Sequence, residues 1–472
     1  MRENSICEAK PKITLPLDDC FRPLALWNRN FSSAVEATKS EVPLVVAVER
    51  GDGSRSKFLT CVFPGEHRSA AQNLLYAERL VKMLLWTRGG YKVYVGGPAK
   101  IGEFIKKVYS RTGARSFDWN FMGRTVYEKP FRVIITTADK VPPAREKSVA
   151  LGRHLDGCRI GFDLGASDRK VSGVVDSEPV FSEEVAWEPG KQKDTRYHYH
   201  EIMSGLHRAA ARMPRVDAIG GSSAGVIIDN RVMVASLFRG VPPRLYKRQA
   251  TSIFLKIKEE WGVPFEVAND GEVTALAASM SLNVNSVLGV ALGSSQAGGY
   301  VNLEGHITNW LNELAFTPVD LNPRAPVDEW SGDGGCGVQY FSQVAVLRLA
   351  EKAGIELSPS LPPAEKLRSV QELLAKGDER ANKIFETIGA YLGYGIAHYA
   401  DFYDLRHVLI LGRVTSSEGG PIILDRAREV LAVEFPELSR RITLHLPDEK
   451  NRRVGQSIAA ASLPQVRRGK GR

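Results

Sequence analysis

Three short stretches of this 472-residue chain hold residues suited to handling phosphate. In the first, apolar residues lead up to Asp163, a turn of Gly165, Ala166 and Ser167 follows, and alternation resumes after Lys170. That pattern predicts a β-hairpin whose tip allows close backbone approach. The tip offers N–H groups, a hydroxyl and an ammonium to phosphate, and Asp163 stands where a hydrated Mg2+ could be held. Taken alone, an ordinary tight hairpin is the better reading. The second stretch is Val263–Val267, a predicted strand that runs into Asn269-Asp270 and a helix over Gly271–Leu282. A carboxylate there is stabilised by the helix dipole and faces the crevice between layers, although Asn and Asp also cap helices. The third, Gly293-Ser-Ser-Gln-Ala-Gly-Gly299, follows the apolar run Ser286–Leu292, precedes Tyr300–Leu303, and repeats the hairpin-tip pattern. Two phosphate tips with a carboxylate between them suit phosphoryl transfer, where catalysis is mostly positioning and charge stabilisation.

The elements that must position these groups follow from hydrophobic periodicity. Residues 1–40 carry several prolines and no clear period, and are read as an irregular lead-in. Strands are expected at Leu44–Glu49, Phe58–Phe63, Lys92–Val95 and Phe131–Thr136, and helices at Ala70–Trp86 and Ile101–Tyr109. This first third is then a separate α/β unit, closed by a charged linker at Val141–Arg153. Gly89-Gly90 leads into a strand rather than a second helix, which argues against a helix-turn-helix. Its β-β-α-β-α-β order invites comparison with the downstream hairpin as a worn half-repeat, with Gly51–Lys57 as its tip; an unrelated accessory domain is the simpler reading. Further on, Glu201–Arg212, Ser252–Trp261, Gln343–Ala353, Ala364–Leu374, Asn382–Asp404, Pro421–Leu431 and Val454–Ala461 read as helices. Glu178–Ala186, Asp217–Ile219, His407–Leu411 and Arg441–Leu444 read as strands. His198, His200 and His207 lack a carboxylate in ligand register and are expected to face solvent or cap rather than bind metal.

Length allows two or three domains, and 43% hydrophobic with 25% charged residues fits a globular protein. The net charge of +9, with a basic end at Arg467, Arg468, Lys470 and Arg472, suits anionic small ligands but makes no case for nucleic acid. Five scattered cysteines (Cys7, Cys20, Cys61, Cys158, Cys336) and no CxxC argue for reduced thiols and against a disulfide frame or a zinc site. No signal peptide or membrane span is apparent, so a cytoplasmic protein is expected, with a homodimer as the assembly to consider.

Residues 159–465 resemble the ROK family (repressors, open reading frames and sugar kinases) of the actin-like ATPase superfamily. Asp163-Leu-Gly-Ala-Ser-Asp-Arg-Lys170 is similar to the first phosphate motif, Asn269-Asp270 to the catalytic "ENDAN" motif, and Gly293–Gly299 to the second phosphate motif. Glu313-Leu-Ala-Phe-Thr-Pro-Val319 resembles "GEIGHMPV", and Leu409-Ile-Leu-Gly412 the adenosine strand-turn. The resemblance implies an α/β, two-lobed, ribonuclease H-like fold with an added N-terminal α/β domain. The expected divisions are 1–155 (accessory), 156–285 (first lobe) and 286–472 (second lobe), the C-terminal helix returning to the first. It implies ATP and Mg2+ as cofactors and Asp270 as the base that takes a sugar hydroxyl's proton. Asn269 and Glu313 would bind sugar hydroxyls, with Ser222, Ser223 and Gly225 at the rim of the sugar pocket. Gly165, Ser167, Lys170, Gly293, Ser294 and Gly298 would surround phosphates, and Gly412 would lie beside adenosine.

The departures are specific. The family's zinc- and sugar-binding His falls at Phe316, and its CxCGxxGC loop at Glu329-Trp-Ser-Gly-Asp-Gly-Gly-Cys336, so no structural zinc is expected. The family's second sugar-binding glutamate falls at Val338, and Ser295 and Ala297 stand in the second tip where glycine is usual. A sugar kinase is the leading reading. A carbohydrate or nucleotide sensor that kept the fold and lost catalysis is the alternative, and a DNA-binding repressor ranks third.

Overall fold

The structure is a computed structural model that describes residues 10–146, 151–447 and 455–466. Cys7 and the basic end lie outside the described residues. The chain opens with helix α1 (Leu24–Glu36), followed by β1 (Val42–Glu49), β2 (Arg55–Val62), α2 (Gln72–Arg88), β3 (Lys92–Gly96), α3 (Ala99–Val108), α4 (Ser116–Asn120) and β4 (Arg132–Thr136). The first helix corrects the irregular lead-in. Leu24, Trp27, Phe31 and Val35 are spaced for one helical face and all are buried. Prolines before the helix obscured that spacing; Pro23 is in fact its N-cap.

Strands β1 to β4 form one sheet in the order β2-β1-β3-β4. The half-repeat idea fails on topology. β1 pairs antiparallel with β3, whereas the corresponding pair downstream is parallel, as described next.

The chain continues through β5 (Cys158–Leu164), β6 (Asp168–Val175), β7 (Glu178–Ala186), α5 (Thr195–Ala210), β8 (Ala218–Ser223), β9 (Val226–Ile228) and β10 (Arg231–Val234). Then come α6 (Pro243–Leu245), α7 (Ile253–Trp261), β11 (Phe265–Asn269) and α8 (Asp270–Leu282). A five-stranded sheet runs β11-β8-β5-β6-β7. β5 and β6 make the expected antiparallel hairpin, and β8 lies parallel to both β5 and β11. Ile160, Phe162, Leu206, Phe254, Ile257 and Phe265 are among its core residues. His198 belongs to that core and is not solvent-facing: its ring stacks 4.3 Å from that of Phe238 and its Nε2 lies 2.9 Å from the Leu237 carbonyl oxygen.

The remaining elements are β12 (Val287–Leu292), β13 (Gln296–Val301), α9 (Gln343–Lys352), α10 (Pro363–Ala375), α11 (Glu379–Tyr399), β14 (His407–Leu411), α12 (Gly419–Glu434), α13 (Pro436–Arg441), β15 (Thr443–His445) and α14 (Gln456–Ala461). A third sheet has the order β13-β12-β14-β15. α11 packs against α12 through Gly389 and Gly393, where a Cβ would crowd Arg426 or Val430. α14 lies on β5 and β8 so closely that a Cβ at Gly161 or Gly220 would collide with the carbonyl oxygens of Ser457 or Ala460.

Two compact units emerge. One holds residues 10–146, 290–298 and 309–446; the other holds 151–289, 299–308 and 455–466. No described helix is long and apolar enough to cross a membrane.

Candidate active site

In the second unit, the parallel strands β5, β8 and β11 end side by side. Register pairs Asp163 with Ser222, Leu164 with Ser223, and Ser223 with Asn269. Three polar strand ends are thereby set in a row, the position where open α/β sheets gather their chemistry. Ser222 Oγ donates to Asp163 Oδ1 at 2.7 Å. Gln456 Nε2 donates to Ser222 Oγ at 2.9 Å and to the Asp270 carbonyl oxygen at 3.1 Å. Gln456 was not foreseen: it arrives on α14, far along the chain, with no motif to mark it.

Asn269 has two jobs. Its Oδ1 accepts from Gly271 N at 2.8 Å as the N-cap of α8, and its Nδ2 donates to the Gly225 carbonyl oxygen at 2.8 Å. Asp270 Oδ1 also accepts from Gly271 N, at 3.0 Å. Both readings of this pair therefore operate at once. The cap is present, and it leaves the Asp270 carboxylate with its other oxygen for chemistry.

Electrostatics mark the same two acids. Burial raises Asp163 to about 6, opposed by the Ser222 hydrogen bond and reinforced by the Asp270 charge. Burial also raises Asp270, against the bond from Gly271 N. Two desolvated carboxylates, one of which raises the other, form a site whose negative charge a hard cation would relieve. Asp163 is the residue that would hold a Mg2+ here; among the described residues no group of three or more His, Cys, Asp or Glu side chains gathers as a metal-binding cluster.

The first tip is firmly built. Gly165 N donates to the Asp168 carbonyl oxygen at 3.0 Å, and Trp187 ties the tip down through Nε1 to the Gly165 carbonyl oxygen at 2.8 Å. Ser167 is exposed, with its Oγ 2.9 Å from Asp168 Oδ2. Lys170 is held loosely by Asp168 at 3.6 Å and Glu184 at 3.9 Å, so its ammonium can turn to another anion.

In the first unit, Gly293 closes the second tip by donating N–H to the Ser295 carbonyl oxygen at 3.0 Å. Ser294 is exposed there. Gly412 has φ 107° and abuts Leu292, which places the end of β14 against the start of that tip. Gly298 packs on Leu314 and Asn312, beside Glu313. The Glu313 segment is fixed to α2: Glu313 N donates to the Trp86 carbonyl oxygen at 2.9 Å and Asn312 N to that of Thr87 at 3.0 Å.

The departures from the family pattern also have a physical account. Phe316 lies 4.3 Å from Trp86 and 5.2 Å from Trp330, inside an aromatic cluster. Asp333 pairs with Lys82 and Arg115, and Lys82 also meets Asp118 at 3.3 Å. Arg115 Nε bonds Glu78 at 2.5 Å. Cys336 is fully buried and its thiol is pushed up to about 11 by that burial, which disfavours a metal-binding thiolate. The residues here do not fit a zinc site. A buried ion cluster and aromatic packing against α2 and α4 hold the loop instead.

A family model described as the ROK family matches residues 159–452, more than half of the chain. The chain belongs to the ROK family. Among solved structures, a ROK hexokinase from Thermus thermophilus is similar over 64% of this chain and 97% of its own, at 20% identity and a TM-score of 0.50. A ROK family transcriptional regulator, a homolog of the E. coli MLC protein, is similar over 66% of this chain and 78% of its own, at 17% identity and a TM-score of 0.50. No curated protein matches. These likenesses show the two-lobed actin-like ATPase fold; the ROK match begins after residue 158, so the first sheet and its helices are additional to it.

Proposed function

We propose that this ROK chain transfers the γ-phosphate of ATP to a hydroxyl of a sugar or sugar derivative. The observation that supports the reading is the pair of buried carboxylates Asp163, at the end of β5, and Asp270, just past the end of β11, flanking the end of β8 and linked to it through Ser222 and Gln456. In this reading Asp270 takes the proton of the acceptor hydroxyl as its oxygen forms the new bond to phosphorus and ADP leaves. Ser222 holds the Asp163 carboxylate and Gln456 ties Ser222 to the Asp270 backbone; by the family resemblance, Asn269, Glu313, Ser222, Ser223 and Gly225 would bind the acceptor. Gly165, Ser167, Lys170, Gly293, Ser294 and Gly298 contribute phosphate contacts, and Gly412 lies beside the base. Mg2+, held by Asp163, would supply charge neutralisation on the phosphates.

The sensor reading keeps one specific support. Phe316 and Val338 stand where the resemblance expects sugar-binding His and Glu, and sites that read hydroxyls depend on such partners.

The test uses pH. Asp163 carries a proton below about 6 and is ionised above it, so cation binding should be present at neutral pH and fade as pH falls through about 6. Ionised, this buried acid opposes folding, so a bound cation should stabilise most where the acid is charged. Thermal melts with Mg2+ and a non-hydrolysable ATP analogue should show a stabilisation at pH 7.5 that shrinks by pH 5. Asp163→Asn should lose the magnesium-dependent part at every pH. A magnesium effect that is flat with pH and intact in Asp163→Asn would remove Asp163 from the site.

A further inference from the structure

A cavity of about 490 Å³ lies wholly within the first unit, the one that holds neither Asp163 nor Asp270. Four elements converge on it: α1, β2, α2 and the C-terminal end of α11. Its walls carry polar atoms with nothing to bond. His398 is only 2% exposed, and neither of its ring nitrogens has a hydrogen-bond partner. Asn28 Oδ1 and Arg79 Nη1 are likewise buried and unpartnered. Leaving one such group unsatisfied is costly, and proteins leave few.

Charge decides what could satisfy them. Both guanidiniums on the lining are already neutralised, Arg29 by Glu437 at 2.6 Å and Arg79 by Glu78 at 3.0 Å. The remaining charged group there is Asp401. Among the described residues its carboxylate has neither an ion pair nor a hydrogen bond, and Arg441 reaches it only through space. Asp401 also stands just past the last turn of α11, a 21-residue helix whose C-terminal end carries partial negative charge. The cavity therefore favours a cation. Burial lowers His398 to about 3, so its ring is neutral and presents one donor and one acceptor, as a hydroxyl requires. Phe58 and Phe402, stacked at 5.1 Å, supply an apolar wall for a carbon skeleton.

We infer that this cavity binds a small hydroxylated primary amine in its protonated form, with the ammonium on Asp401 and Asn28 and the hydroxyls on His398 and Arg79. An ammonium has three N–H donors and no acceptor, which suits a carboxylate and an amide oxygen and leaves a hydroxyl to accept from Arg79 Nη1. The volume lies within the range of small-molecule sites. Three of the four walls precede the ROK match, so the inference gives the N-terminal α/β addition a role, and it does not rest on the kinase reading.

Calorimetric titration of the full chain with glucamine and with glucosamine tests this, with sorbitol, glucose and gluconate as comparison arms. Sorbitol and gluconate keep the carbon chain of glucamine and carry a hydroxyl or a carboxylate in place of its amine. The expected result is saturable binding of at least one amine, with all three comparison compounds at least about tenfold weaker. Asp401→Asn should weaken the amine by about tenfold or more. Ser32→Trp, at an exposed position on the lining, should fill the cavity and abolish binding while Asp401 stays in place. Asp270→Asn should bind the amine as the parent does, which separates this site from the one at Asp270. Binding by neither amine, binding unchanged in Ser32→Trp or in Asp401→Asn, or equal affinity for sorbitol or gluconate would each overturn the assignment.

Discussion

Asp270→Asn is expected to lower phosphoryl transfer by about 10²- to 10⁴-fold, the span for a lost general base, while nucleotide still binds. The substitution is chosen because it isolates one of the two jobs this position performs. Asn caps a helix about as well as Asp, so α8 should keep its N-terminal bond to Gly271 and the melting temperature should hold. The negative charge that raises Asp163 would also vanish, so the Asp163 carboxyl should titrate lower than in the parent. Steady-state kinetics with the best acceptor would measure kcat and KM separately. A fall in kcat with little change in nucleotide KM marks a group that acts on the reacting hydroxyl. Unchanged turnover would reduce Asp270 to a cap.

The largest effect on stability is expected at Lys82. Its side chain is fully buried, and burial works against its charge, but Asp118 and Asp333 outweigh that and hold it protonated. Lys82→Met removes the charge from carboxylates that stay buried, a change that costs about 3–5 kcal/mol when a buried pair loses one member. Asp333 would keep Arg115, so the loss should fall mainly on Asp118. Thermal melts should show a large drop for Lys82→Met and recovery in the double variant Lys82→Met/Asp118→Leu, because removing both charges leaves neither uncompensated. A single variant that melts like the parent would mean that the cluster adds nothing to the fold.

How much of this was legible in the sequence depended on distance along the chain. The hairpin at Asp163–Lys170, the Asn269-Asp270 corner and the tip at Gly293 are local patterns, and local backbone demands on glycine, hydroxyl and carboxylate leave a readable trace. The order of those patterns carried the resemblance to ROK proteins. Helix α1 was readable too, from the spacing of Trp27, Phe31 and Val35, although the prolines before it break the period of the segment that leads into it. What could not be read was long-range. Nothing at Lys82 announces Asp333, 251 positions away, and nothing at Gln456 announces Ser222 and Asp270. The loss of zinc ligands was visible as missing letters. The ion cluster and aromatic packing that hold the loop belong to residues that no local motif connects.

The most direct measurement is detection of the phosphorylated product itself. The full chain would be incubated with ATP, Mg2+ and a panel of neutral and amino sugars, with new phosphate esters followed by phosphorus NMR and mass spectrometry. The account predicts one sugar-dependent ester, formed together with an equal amount of ADP and absent with Asp270→Asn. Nucleotide bound by a well-folded protein, with no ester from any acceptor, would contradict it.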